Sequence, residues 1–134
     1  MFKIKRNKWD DVFSKIIRTR DNWTCQKCGK VYLPPTKSLH CSHFVGRGHY
    51  TTRYDEDNCE ALCVKCHQRL GANPNKHTDR KIMLIGYERY QELKRKQNLF
   101  IKKRDICTEE FYQEMKAKLK GLTDSFVYDG DEQC

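Results

Sequence analysis

Trp23-Thr24-Cys25-Gln26-Lys27-Cys28-Gly29-Lys30 sets two cysteines around two residues and follows them with a glycine. That is the shape of a zinc knuckle, in which a tight turn aims both thiolates at one ion. With 34 residues between, Cys63-Val64-Lys65-Cys66 repeats the spacing. Two such pairs make one tetrahedral tetrathiolate, so Cys25, Cys28, Cys63 and Cys66 are expected to hold one structural Zn²⁺. Iron is the alternative ion, and redox chemistry the alternative use of the pairs. Four protein ligands leave no open position for water, so the role expected is a clamp between two halves of a small core. Cys41 and Cys59 read as small buried side chains; a second metal built from them and a histidine is the weaker alternative. Cys107 and Cys134 carry no assignment.

Outward from the knuckles, periodicity predicts helices. Trp9, Val12, Phe13, Ile16 and Ile17 recur on one face of a helix over Asp10–Arg20, with acids at its start and Arg18 and Arg20 at its end. Further helices are expected over Val64–Leu70, 79–85, 87–97 and Thr108–Leu122, with Gly86 as the break. Val31–Leu33 and Ser38–Phe44 read as short strands separated by Pro34-Pro35. Val45–Asp57 reads as a loop. Cys59–Cys63 suits either a strand or a first helical turn. Thr123–Cys134 is an acidic tail, expected to be mobile.

The chain has 134 residues, one domain's worth, with 37% hydrophobic and 34% charged residues and a net charge of +9. The charge is uneven: residues 1–104 hold 24 basic and 10 acidic side chains, a balance of +14, and residues 105–134 hold 3 and 8, a balance of −5. No apolar run approaches a membrane span, which excludes an integral helical membrane protein. The start MFKIKRNKWDD has no apolar h-region, so no secretory signal is expected and the thiols should stay reduced. A basic body of this strength points to a polyanion, most simply the phosphate backbone of DNA. A division follows: 1–104 as the functional domain with its core at 23–73, and 105–134 as a helix with the acidic tail.

Between the knuckles lie His40-Cys41-Ser42-His43, then Asn58, then His67 directly after Cys66. This His–Asn–His series resembles the HNH nucleases, whose fold is the ββα-metal (His-Me finger) core. The resemblance implies an α+β protein with flanking helices and makes Cys59–Cys63 the second strand. It also implies roles: His43 as general base, Asn58 as brace of the hairpin loop and His67 as ligand of a catalytic Mg²⁺ or Mn²⁺. Ser42-His43-Phe44, Arg53-Tyr54-Asp55-Glu56-Asp57-Asn58, Cys63-x-x-Cys66 and Gly71-x-Asn73 are closer still to the lambda-type phage NinG (Rap) recombination family. That likeness implies a phage DNA-recombination endonuclease acting on branched DNA, such as a Holliday junction, in the cytoplasm of the host.

One position departs from the pattern. HNH proteins carry an acid or histidine just before the base, as a second metal ligand, and here that residue is Ser42. His40, two residues away, points to the same side of a strand and is the nearest substitute; His49, Asp57 or water are others. Arg47, Arg53, Lys65 and Arg69 are expected to hold flanking phosphates, and Arg80, Lys81, Lys94, Arg95 and Lys96 to add sequence-independent contacts. Tyr50 and Tyr54 either stack on unpaired bases or pack the loop. The competing reading is a zinc-stabilised DNA-binding module without catalysis. Oligomeric state is open, a dimer being plausible for a junction enzyme.

Overall fold

The computed structural model of the chain describes residues 4–126. Helix α1 (Lys8–Arg20) starts earlier than its apolar face, because Asn7 caps it. The Asn7 side chain accepts from the Asp10 N–H, and the Asp10 carboxylate accepts from the Asn7 N–H, both at 2.9 Å. The exchange satisfies donors that a helix start leaves unpaired. Val12, Phe13, Ile16 and Ile17 are buried as their spacing requires.

After α1 the chain turns through Asn22 and Trp23, both at positive φ (57° and 52°). A bulky residue in that region is strained. Trp23 is held there by its N–H on the Arg18 carbonyl (2.8 Å), by the Tyr32 N–H on its own carbonyl (2.7 Å) and by the Arg18 guanidinium over its ring. The first knuckle follows, closed by the Gly29 N–H on the Cys25 carbonyl (2.8 Å), with Gly29 at φ 79° where a side chain would be strained. Val31–Leu33 is not the expected strand. Only Val31 bridges to Thr24, because this segment is the returning arm of the knuckle and its hydrogen bonds are spent there.

The sheet is two antiparallel strands, β1 (Leu39–His43) and β2 (Cys59–Cys63), with His43 opposite Cys59, Ser42 opposite Glu60 and Cys41 opposite Ala61. Between them the expected loop contains a short helix α2 (Tyr50–Arg53) and a 3-10 turn at Glu56–Asn58. Asp55 nucleates that turn by accepting from the Asp57 N–H at 3.0 Å. β2 runs directly into α3 (Val64–Gly71), followed by α4 (Pro74–Ile85), α5 (Tyr87–Gln97), α6 (Lys103–Ile106) and α7 (Glu109–Ser125). α4 begins before the expected residue 79, since Asn73 accepts from the Lys76 N–H (3.2 Å) and Pro74 has the φ a first helical position needs. α7 is capped by Thr108, as its sequence promised, and runs past Leu122. The acidic tail from residue 127 onward, and Cys134 with it, lie outside the described residues.

The architecture is therefore mixed α+β, with helices around a small two-stranded sheet. Alternation along β1 sends Cys41 and His43 toward α1, where Phe13 lies 6.2 Å from the His43 ring, and His40 and Ser42 toward α3. One apolar cluster joins Trp23, Leu39, Ala61, Leu62 and Leu70 to Cys25, Cys63 and Cys66. A second joins the α1 face to Cys59 and to Met115 of α7, so the C-terminal helix helps close the core. No described helix is long and apolar enough to cross a membrane.

Candidate functional site

The coil after α1 supplies Cys25 and Cys28; the end of β2 and the first turn of α3 supply Cys63 and Cys66. Their sulfurs lie within 4.8 Å of one another, with Cys28 Sγ 3.9 Å from Cys63 Sγ. Burial raises the Cys25 thiol, but backbone N–H groups of Cys28, Cys63 and Lys27 outweigh it and bring it down to about 6. The Cys66 N–H likewise lowers Cys63, whereas burial and the neighbouring thiols push Cys66 up to about 12. Four converging sulfurs, one of them readily ionised, are a donor set that can hold a thiophilic ion such as zinc.

Along β1, a cleft of about 570 Å³ is lined by α1 (Asp10, Ser14, Arg18), by His40, Cys41 and His43 of β1, and by His67 of α3. A second hollow of about 370 Å³ shares His43 and His67 and adds Ser42, His77 and Lys94. Four of the chain's five histidines thus border these two hollows, which share His43 and His67. His40 and His67 face each other with ring centroids 5.3 Å apart.

His43 is held in one tautomer. Its Nε2 lies 3.0 Å from the Arg53 carbonyl, which can only accept, so Nε2 carries the proton and Nδ1 the lone pair. Burial lowers its pKa below the ordinary histidine value and the Arg47 charge lowers it further; the Arg53 carbonyl opposes both. His67 is lowered by burial and by His40. Both shifts favour the neutral ring.

Asn58 is fully buried and every polar atom of its side chain is used. Its Oδ1 accepts from the Val45 N–H at 2.6 Å, and its Nδ2 donates to the carbonyls of Val45 (2.9 Å) and Thr52 (3.1 Å). It ties the start of the β1–β2 connection to α2.

Two residues expected at the site do something else. Ser42 is not an open ligand: its hydroxyl is buried and lies 3.0 Å from His67 Nδ1. A histidine bonded through Nδ1 keeps Nε2 for another partner, so Ser42 orients His67. Arg53, expected on phosphate, is 1% exposed. Its Nε and Nη2 donate to both Asp10 carboxylate oxygens (2.9 and 2.6 Å), and the remaining donors reach the carbonyls of Arg47 and Lys5. A guanidinium saturated inside the fold has nothing left for DNA.

The Arg53–Asp10 pair predicts a measurable cost. Removing one partner of a buried pair strands the other charge, so Arg53→Met should lose about 3–5 kcal/mol in urea unfolding. Burial raises the Asp10 carboxyl, yet the hydrogen bonds from Arg53 and Asn7 hold it below its ordinary value of 3.8. The pair's contribution is thus present above that value and lost as pH falls through the lower folded one. Arg53→Met with wild-type stability would show that the pair supports nothing.

The other expected cations divide. Lys65 and Arg69 are exposed on α3 but do not line the cleft, while Arg47 does. Lys81 is 2% exposed and donates to the Asp57 carbonyl at 2.9 Å, so it is spent inside the fold. Arg80, Arg95 and Lys96 pair with Glu60, Glu92 and Asp55. Asp57 pairs with Arg89 and borders a different hollow, and His49 is exposed at the start of α2; neither joins His40 and His67. Tyr54 packs, its hydroxyl donating to Asn7 Oδ1 at 3.2 Å. Sequence reasoning missed Arg6, Arg18, Lys37 and His77, which line these hollows. Nothing in their spacing marked them, since each comes from a different segment.

The family model described as Bacteriophage Lambda NinG protein matches residues 3–125. No curated protein and no solved structure matches the chain.

Proposed function

The chain belongs to the bacteriophage lambda NinG protein family, and from that premise we propose that it is a metal-dependent HNH-type endonuclease hydrolysing DNA phosphodiester bonds, branched DNA included, during phage recombination in the host cell. One observation carries the reading. His43, with its Nε2 proton committed to the Arg53 carbonyl, lines the same cleft as the His40–His67 pair, and that cleft is bordered by Arg6, Arg18, Lys37 and Arg47. The succession of β1, β2 and α3 around these residues, with Asn58 bracing the connection, also supports a ββα-metal core.

The residues suit the chemistry. A phosphodiester repels anionic nucleophiles, so water must be activated and charge neutralised. A neutral His43 takes a proton from water at Nδ1. Arg18 and Arg47 border the same cleft and would hold the flanking phosphates. His67 and His40 would hold the cation, which when bound neutralises phosphate charge and the departing oxygen. Imidazole donors without a carboxylate suit Mn²⁺ or a later transition ion better than Mg²⁺.

A second reading has one observation in its favour. Among the described residues no third His, Cys, Asp or Glu joins His40 and His67 in a metal-ligating group. That favours a zinc-stabilised DNA-binding protein without catalysis. Incubating plasmid and four-way-junction DNA with Mn²⁺, Mg²⁺ or EDTA separates the two. Cleavage that requires the divalent ion supports the nuclease; intact DNA under every condition, with tight binding, supports the second reading.

Binding itself should depend on salt under either reading. The logarithm of affinity for duplex DNA should fall by about 0.9 per phosphate neutralised for each unit of log salt. The four cations of the cleft with Lys65 and Arg69 would give a slope no steeper than about −5.4. A flat response would overturn the backbone-contact model.

A further inference from the structure

Cys41, His43 and Cys59 converge on the side of the hairpin that turns toward α1. Their ligand atoms all lie within 4.8 Å of one another. The strand register makes the cluster: His43 sits directly across from Cys59, and Cys41 precedes His43 by two residues on the same face. Cys59 is buried against α1, while Cys41 and His43 are half-buried and line the cleft. We propose that these three side chains form a second, soft-metal site, with Zn²⁺ as its ion, and that filling it switches off His43 as a base; the regulatory half of the proposal rests on the nuclease reading.

The donor set selects the ion. Two thiolates and an imidazole suit a thiophilic ion, and three protein ligands leave one position open toward the cleft. Two thiolates balance the charge of one divalent ion, so the filled site is neutral beside Arg18, Arg47 and the Asp10–Arg53 pair. Mg²⁺ would find no oxygen ligand among the three. A disulfide is the other use two cysteines could have, and the register argues against it. Cys41 and Cys59 are diagonal partners, and such pairs have Cα atoms about 7–8 Å apart, beyond the usual span of a disulfide. Two sulfurs bound to one zinc at about 2.3 Å each sit roughly 3.8 Å apart, which the observed cluster accommodates with small side-chain movement.

The switch follows from one lone pair. His43 Nε2 holds its proton on the Arg53 carbonyl, so the nitrogen available to a metal is Nδ1. The same lone pair must take the proton from water. Metal binding and base catalysis therefore exclude each other. Each thiol releases its proton to solvent as it binds, so occupancy should rise with pH.

Zinc titration of the wild-type chain, of Cys41→Ala and of Cys59→Ala, read by competition with a chromogenic chelator, tests the site without reference to activity. The wild type should take up one equivalent more than either variant, while both variants keep the tetrathiolate zinc as evidence of an intact fold. Cobalt(II) loading of the wild type gives a second readout. It should show thiolate charge-transfer absorption from two kinetically distinct sites. Equal zinc uptake by wild type and both variants, or a single cobalt class in the wild type, would overturn the site. In Mn²⁺-dependent cleavage, added Zn²⁺ should inhibit the wild type more than tenfold and leave Cys41→Ala active; equal inhibition of both would overturn the switch. Absence of any cleavage would count against the nuclease reading, while the zinc difference would still decide the site.

Discussion

In His43→Ala, divalent-cation-dependent cleavage should fall by about 10²–10⁴-fold, the usual loss when a general base is removed, with DNA affinity unchanged. The affinity should be spared because the cations proposed to meet phosphate, Arg6, Arg18, Lys37 and Arg47, line the cleft and none of them bonds to the imidazole. The pH profile gives an independent check. Burial, and then the Arg47 charge, hold His43 below the ordinary histidine value of 6.5. The wild-type rate should therefore be level at neutral pH and decline only as pH falls through a midpoint below that value. Wild-type cleavage by His43→Ala would exclude it as the base. A rate that rises toward acid pH would do the same, since a protonated imidazole cannot accept.

Cys28→Ser should release the structural ion and unfold the knuckle region at ordinary temperature. Structural zinc sites contribute apparent binding free energies of about 10–16 kcal/mol, as large as the whole stability of a typical domain, about 5–15 kcal/mol. The loss should spread, because the knuckle is tied to the sheet by the Gln26 N–H on the Ala61 carbonyl (2.9 Å) and shares a core with Leu39 and Leu62. Zinc content by metal analysis and the thermal midpoint by circular dichroism should fall together. Cys107→Ser, outside both cysteine groups, is the control and should change neither. Tightly bound zinc and an unchanged midpoint in Cys28→Ser would overturn the tetrathiolate.

Much of this protein was legible because its signals are local. Apolar spacing in α1, Thr108 as the cap of α7 and the break at Gly86 each depend on residues within a few positions, where geometry follows from the chain itself. The two C-x-x-C pairs were readable for the same reason, each being a short chelating turn that needs only a partner pair. The expected Val31–Leu33 strand failed at the next level. A β-prone run does not reveal whether its hydrogen bonds go to a sheet or back to the knuckle it closes.

Arginine roles were settled only in three dimensions. Sequence placed Arg53 beside the site as a phosphate contact, whereas its partner Asp10 stands 43 positions earlier and packing brings the two together in the interior. Arg18 reads as the basic end of a helix, and the fold turns it over Trp23 and into the cleft. Ser42 marked a missing ligand in sequence, and its bond to His67 depends on β1 meeting α3. The Cys41–His43–Cys59 cluster exists only in one strand register, and a slip of one residue would send its partners to the opposite face. Residue types and short spacings thus determined which metal-ligating and titratable groups this chain carries. Which groups share a cleft and which are spent holding it in shape was decided by long-range packing, because burial and pairing belong to the assembled core and to no segment of it.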